Sequence, residues 1–443
     1  MDNYLYRAKV ELLEMQEQNR LEKFRKNWEA YLGVGPKPLK VAADAADDNL
    51  RMNFSRIVVD KGVAFLFGKE VKFELTEGEQ TREEEWLDAA WQVNRKMSTL
   101  QKLAVNGAVC GTAFVKIHYV PGMAFPRLIV CDPETVSVTL SADDIDDVLG
   151  YTITYSSHDP VTNKIIIVRQ EIKRDGNRWI ITDKRSNSEY GNFNVVNEQV
   201  WPYDFAPMVH CQNIITPNEF WGTSDIEDDL LEVINKGNFT ISNILKILRY
   251  HAHPKTWASG VRSGDININP DQMIILPNAE GRLQNLEMQS DLQSSLAVFG
   301  ELRQFTHELA RVPEIATGKV ENVGQLSGVA LEILYQPLLE KTEAKRVTYG
   351  EMIVEINRRM LALAGFGEDN ITTIHWQRML PRDIGTEVTA ALGKKQIGVS
   401  SDTLIQELGY NPDNEREKAK QENTTIGAEL LRQFNAGQSD NGE

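Results

Sequence analysis

At 443 residues the chain is too long for one ordinary hydrophobic core, so two or three domains are expected. A hydrophobic content of 41% with 25% charged residues excludes a disordered chain, and apolar runs as short as Val63–Phe67 exclude a membrane-spanning helix. The 64 acidic against 48 basic residues leave a net charge of −16, which argues against tight, static wrapping of nucleic acid, because gripping phosphates takes cations. Such a surface suits DNA that must move past it without sticking.

The N-terminus, MDNYLYRAKVELLEMQEQ, mixes acids with bases and has no signal-peptide core, so the chain is expected to stay in the cytoplasm of its producer. Residues 5–31 carry Leu12, Met15, Leu21, Phe24 and Trp28 near helical spacing and predict a surface helix that GVGPKP, residues 33–38, ends. A second helix is predicted from about Asn49 to a stop at Gly68, followed by a short strand over Val71–Leu75. A third spans Thr81–Val109, with Trp86, Ala90, Trp91, Met97 and Leu100. Residues 112–205 then turn to β-branched and aromatic runs bounded by turn residues, and the first half reads as an α+β domain.

The character changes at Ser224. Ser224 and Glu227 have capping-box spacing, while Asp225, Asp228 and Asp229 crowd the first turn of a predicted helix and Lys246 and Arg249 its last, as the helix dipole favours. Ile226, Leu230, Ile234, Ile241, Ile244 and Leu248 form its stripe, and Pro254 stops it. Residues 255–291, with strand-like TWASGV and QMIILP, read as a small β insertion. A helix over Leu292–Val312 follows, ended by Pro313. Beyond a glycine-punctuated stretch runs the longest helix, Gly328–Ala364, closed by Gly365. At ~1.5 Å per residue it extends roughly 55 Å if straight, and Pro337 is expected to kink it. Short helices and a polar tail, NAGQSDNGE, complete the chain, and the tail is expected to be disordered.

Three motifs raise the question of chemistry. The first is GKVENVGQLSG, beginning at Gly318, but a phosphate-cradling loop needs four residues between its glycines, followed by Lys and Ser or Thr. Here five residues separate Gly318 from Gly324, Gln325 and Leu326 follow, and Lys319 stands on the wrong side. The stretch reads as a mobile connection in which glycine supplies positive φ, with Ser327 capping the next helix. The second is Asp143, Asp144, Asp146 and Asp147, which lack the spacing of a calcium loop and read as a solvated turn. The third is His251 and His253, two residues apart, which one helix face cannot present together to a metal. Cys110, Cys131 and Cys211 have no ligand spacing and read as buried free thiols. No nucleophile or metalloprotease signature occurs, so neither an enzyme nor a metal or cofactor site is expected.

In order, four segments resemble the portal, or head-to-tail connector, family of tailed double-stranded-DNA bacteriophages. These are NFSRIVVDKGVAFLFGKEVKFEL from Asn53, WGTSDIEDDLLEVINKGNFTISN from Trp221, NVGQLSGVALEIL from Asn322 and IGVSSDTLIQELGYNPDNEREKAKQE from Ile397. No single piece is specific, whereas four in register are. The resemblance implies an α+β portal fold assembled as a ring, usually of twelve subunits, at one capsid vertex. It implies an α/β wing at 1–223, stem helices at 224–252 and 292–312, and a small β-containing clip at 253–291. It further implies a tunnel loop at 313–327, a long kinked helix at 328–365 and an α-helical crown with a polar tail at 366–443. In the loop, Lys319, Val320, Glu321, Asn322, Val323, Gly324 and Gln325 would meet DNA, Gly318, Ser327 and Gly328 would bound the hinge, and Pro337 would kink the helix behind it. Double-stranded DNA would pass without sequence specificity. The terminase large subunit, which hydrolyses ATP, would dock at the clip, and head-tail adaptor, scaffold and major capsid proteins are the other implied partners. The location implied is the virion's portal vertex, after assembly in the host cytoplasm. Alternatives are a structural adaptor or minor capsid protein of a phage-like particle, and a metal hydrolase built on Asp143–Asp147.

Overall fold

The computed structural model describes residues 2–44, 46–75, 81–159, 163–188, 191–252, 256–259, 282–285, 292–318, 328–367, 369–380, 384–412 and 414–420. It divides into two compact units, residues 1–324 with 333–379, and residues 325–332 with 380–443. Helix and sheet mix in the first, as the composition of its segments predicts.

Helix α1 (Asp2–Leu32) buries Phe24 and Asn27. Helix α2 (Phe54–Phe67) begins later than its periodicity suggests, because the Asn53 side chain accepts the Arg56 amide at 3.0 Å and fixes the start there. Residues 48–52 run instead as a strap, described below with its partner helix. After α2 comes the short strand β1 (Lys72–Glu74).

The helix predicted over Thr81–Val109 is two helices, α3 (Arg82–Val93) and α4 (Lys96–Cys110). Asn94 makes the break. Its amide donates to the carbonyls of Ala90 at 2.8 Å and Pro126 at 2.9 Å, and its oxygen accepts the Leu128 amide at 2.8 Å. Arg95 then takes a left-handed φ of 52°, and the chain restarts in a new direction. Asparagine's competition with backbone groups is the local cause.

The β-rich stretch forms two antiparallel sheets. In the first, β2 (Thr112–His118) lies between β3 (Arg127–Cys131) and β9 (Met208–Gln212). Ala113, Phe114, Val115 and Ile117 of β2 are all buried, which only a strand covered on both faces achieves. The second is a five-stranded meander of β4 (Val136–Leu140), β5 (Val148–His158), β6 (Ile165–Asp175), β7 (Arg178–Ser186) and β8 (Asn194–Trp201). Tyr151, Ile172 and Ile181 stand in register across three strands and face the core. Cys110, Cys131 and Cys211 are buried free thiols, as expected.

Two long helices follow, α5 (Asp228–Ala252) and α6 (Leu292–Ala310), which pack on each other. Between them β10 (Thr256–Ser259) pairs antiparallel with β11 (Arg282–Asn285), while QMIILP lies outside the described residues. Polar groups of α5 explain the strap. Asn238 accepts the Met52 amide at 2.9 Å, Ser242 accepts the Leu50 amide at 3.0 Å, and Arg249 pairs with Asp48 at 2.6 Å. Helix α7 (Gly328–Leu363) ends where Gly365 turns left-handed at φ 84°. Strand β12 (Thr373–His375) returns to pair with β1.

The core of this unit gathers α2, α4, α7 and the three-stranded sheet around Phe67, Trp91, Leu103, Phe114, Tyr349 and Met360. Trp91 donates to the Asn357 oxygen at 2.7 Å, so even the largest buried ring has its polar atom satisfied. In the second unit, α8 (Ile384–Gln396) is followed by α9 (Ser401–Glu407), whose start Ser400 caps by accepting the Thr403 amide at 3.2 Å. The polar tail lies outside the described residues.

Replacing Asn94 with Ala strands the buried Leu128 amide and the Pro126 carbonyl, while the backbone bond to Ala90 is kept. We expect a loss of about 2–4 kcal/mol of stability, read from the urea midpoint. An unchanged midpoint would contradict the account of the helix break.

Candidate functional site

Of the residues singled out in the glycine-punctuated stretch, Lys319, Val320, Glu321, Asn322, Val323, Gly324, Gln325 and Ser327 lie outside the described residues. Their flanks are well defined. Pro313 opens a short 3-10 turn over Glu314–Thr317, and Gly318 closes it at φ 90°. Gly328 starts α7, and Pro337 lies within that helix, where it has no amide to donate to the Ile333 carbonyl.

Both flanks are tied to one buried carboxylate. Asp225 Oδ2 takes the Lys345 ammonium at 2.6 Å, and its Oδ1 lies 3.3 Å from Lys341 and accepts from Asn213 at 3.1 Å. Lys341, four residues before Lys345 on α7, also donates to the Ala310 carbonyl at the end of α6 at 3.0 Å. One ammonium therefore joins α6, α7 and the approach to α5. Arg303 holds Glu314 at 2.9 Å on the near side, and Tyr335 stacks on Phe65 with centroids 5.7 Å apart on the far side.

The approach to α5 is itself locked. The Asp225 amide donates to the Ala108 carbonyl at 2.8 Å, and the Ser224 hydroxyl lies 2.8 Å from that same oxygen. Ser224 gives only half of the predicted capping box: its amide donates to Glu227 at 2.9 Å, but its hydroxyl accepts from Ile226 and turns to the end of α4. Asp225 is thus no first-turn partner of the helix dipole. It faces inward and is almost wholly buried.

Burial works most strongly against the charge on Asp225, yet Lys341 and Lys345 with the bonds from Lys345 and Asn213 outweigh it, and its pKa falls below the ordinary carboxylate value. Burial draws Lys345 down to about 8, against the pull of Asp225. The sequence carries a signal for this anchor that periodicity alone passes over. Lys341 and Lys345 are like charges at i, i+4 on one helix face, an unfavourable pair unless an anion lies between them.

The arrangement holds backbone segments together and has no group placed for bond making. Asp143–Asp147 form the turn between β4 and β5, with Asp147 paired to Arg174 at 2.8 Å and Asp144 accepting the Asp146 amide at 2.9 Å. Among the described residues no group of His, Cys, Asp and Glu is placed to hold a metal. A cavity of about 540 Å³ beside that turn contains Asp146, Asp204 and Glu351 and reaches His210. His210 lies 3.2 Å from the Tyr151 hydroxyl, and burial lowers its pKa to about 4. His251 lies on α5, and His253 is outside the described residues.

A family model described as "Phage portal protein, SPP1 Gp6-like" matches residues 6–427. No curated protein matches the chain. Among the similar solved structures are three in which the match covers 81% of this chain and 90% of the other. The neck of an empty gene transfer agent particle, computed with C6 symmetry, is 12% identical with a TM-score of 0.48. The neck of the native particle, computed with C12 symmetry, is 11% identical with a TM-score of 0.45. The virion of the native particle is 12% identical with a TM-score of 0.45. The family match rests on the sequence model and spans nearly the whole chain.

Two measurements address the electrostatics. Asp225→Asn leaves two buried cations without their anion and is expected to cost about 3–5 kcal/mol, more than Lys345→Met, which leaves the Asp225–Lys341 pair. If the lysine variant were the less stable, the carboxylate would not be the centre of the anchor. For His210 the folded pKa of about 4 lies below the ordinary 6.5. Its stabilising contribution is therefore complete above pH 6.5, is lost as pH falls toward 4, and amounts to about 3 kcal/mol. Unfolding of His210→Gln should depend less steeply on pH across that window.

Proposed function

The chain belongs to the SPP1 Gp6-like family of phage portal proteins, and from this premise we propose that twelve copies close into a ring at one capsid vertex. Genomic double-stranded DNA then enters and leaves through the axis of that ring. A closed ring requires a heterologous interface, in which one face of each subunit meets a different face of the next. Exposed apolar side chains on the two long helices, Phe239 and Leu248 of α5 and Leu296, Val298, Phe305 and Leu309 of α6, support such contacts.

In this reading residues 1–223 form the wing, α5 and α6 the stem, and the insertion bearing β10 and β11 the clip. Residues 313–327 line the channel, α7 backs them, and the crown with its polar tail occupies 366–443. The protein acts structurally. The terminase large subunit, docking at the clip, supplies ATP hydrolysis, and adaptor, scaffold and capsid proteins bind the outer surfaces.

The observation that supports this reading best is the anchor at Lys341, which joins the end of α6 to the interior of α7 across a separation of 31 residues. A segment that meets moving DNA needs fixed ends, or each passing phosphate would shift the helices behind it. Glu321 then repels phosphate, while Lys319 is the one cation in the loop and Val320 and Val323 offer small apolar contacts.

Electron microscopy of the purified protein tests the assembly: we expect rings with a central channel, and only monomers or open aggregates would refute it. For the loop, Gly324→Pro should leave the rings intact while lowering DNA packaging in a reconstituted motor assay. Packaging at the unaltered rate would remove the loop from the mechanism.

A further inference from the structure

A smaller cavity, of about 120 Å³, lies between the end of α2, the middle of α7 and the segment following β12. Its polar side chains are Lys61, Lys69, Arg346 and Gln377, and no carboxylate lines it. In a chain of net charge −16, three cations around one small cavity mark a local reversal of sign.

The cations are poorly compensated. Lys69 donates to the Arg378 carbonyl at 2.6 Å, a dipole that leaves its charge unmatched. Lys61 has no ion-pair partner among the described residues. Arg346 does meet a carboxylate, Glu343 at 3.0 Å, but the Glu343 side chain is 60% exposed, so water screens that pair.

Arg346 is held for a further task. Its guanidinium lies over the Trp376 ring, 5.1 Å from the centroid, and Nη2 donates to the Gln377 carbonyl at 2.8 Å. Its Nε–H is buried and has no acceptor. A buried donor left unmade costs about 1–3 kcal/mol, which a ligand oxygen recovers only if Arg346 shifts to present it, since Nη1 and Nη2 already meet Glu343 and the Gln377 carbonyl. A cavity lined by one guanidinium and two ammonium side chains, with no carboxylate, suits a multiply charged oxyanion better than a carboxamide or a sugar.

We propose that this cavity binds a phosphate-type oxyanion, with Arg346 as the orienting group and Lys61 and Lys69 as charge partners. The anion is either free phosphate or a backbone phosphate of duplex DNA. The site uses the residues next to Gly62 and Lys345 of the Asp225 anchor, on the same two helices, but shares no side chain with that anchor.

The test titrates the full-length protein with inorganic phosphate, following the phosphorus resonance and the thermal midpoint, with chloride at matched ionic strength as control. A short DNA duplex is titrated in parallel. Lys61→Gln/Lys69→Gln changes side chains at the surface end of the cavity and is expected to fold normally. We expect phosphate to raise the midpoint of the natural protein beyond chloride, and the double variant to bind it at least about tenfold more weakly, the loss of one charge-assisted bond. If duplex binding falls in the same variant, a DNA phosphate is the ligand. If duplex binding is unchanged while phosphate binding falls, free phosphate is. Phosphate that acts no differently from chloride, or equally on both proteins, overturns the proposal.

Discussion

A carboxylate with no access to water must have its charge answered by the protein, and at Asp225 that requirement sets the positions of much else. Two ammonium groups from α7 and an amide from Asn213 converge on it. Space for them has to be left open. A Cβ on Gly62 of α2 would stand 2.9 Å from the Asp225 oxygen, and one on Gly107 of α4 would stand 1.9 Å from the Tyr349 hydroxyl that reaches Asn213. Two helices from the N-terminal part of the chain and the long helix near its end are thereby brought to contact distance by one charge. Replacing such a cluster with apolar groups often stabilises a protein, so stability alone does not account for it. Its geometric exactness does: three bonds to one carboxylate fix direction as well as distance, which apolar packing does not.

That exactness bears on how a portal subunit divides its labour. The apolar core around Trp91, Phe114 and Met360 is built entirely from residues of one subunit. The exposed apolar residues of α5 and α6 lie outside this core. The chain as a whole is acidic, whereas three cations gather around the small cavity at Arg346.

How far the sequence disclosed this depended on the range of the interaction concerned. Helices with sustained stripes, α1, α5 and α7, were legible because their periodicity records which face is buried, and Gly365 and Pro313 marked stops through purely local geometry. The break at Asn94 was not, because its cause is a hydrogen bond to Leu128, thirty-four residues away in sequence. The strap at residues 48–52 escaped for a similar reason: its partners Asn238 and Ser242 lie on a helix nearly two hundred residues later. Asp225 was misjudged in kind. Beside Asp228 and Asp229 it looks like one more acid at a helix start, and only tertiary structure separates the buried charge from the solvated ones. Strand runs were visible, but their division into a three-stranded and a five-stranded sheet was not.

Pro337 and Lys341 sit one helical turn apart, and their order matters mechanically. A proline leaves the Ile333 carbonyl without its helical bond, so the bending stiffness of α7 is lowest there. The next turn carries the ammonium that is fastened to Asp225 and Ala310. Compliance comes first and fixture second. In a helix so arranged, bending concentrates ahead of the anchor rather than behind it.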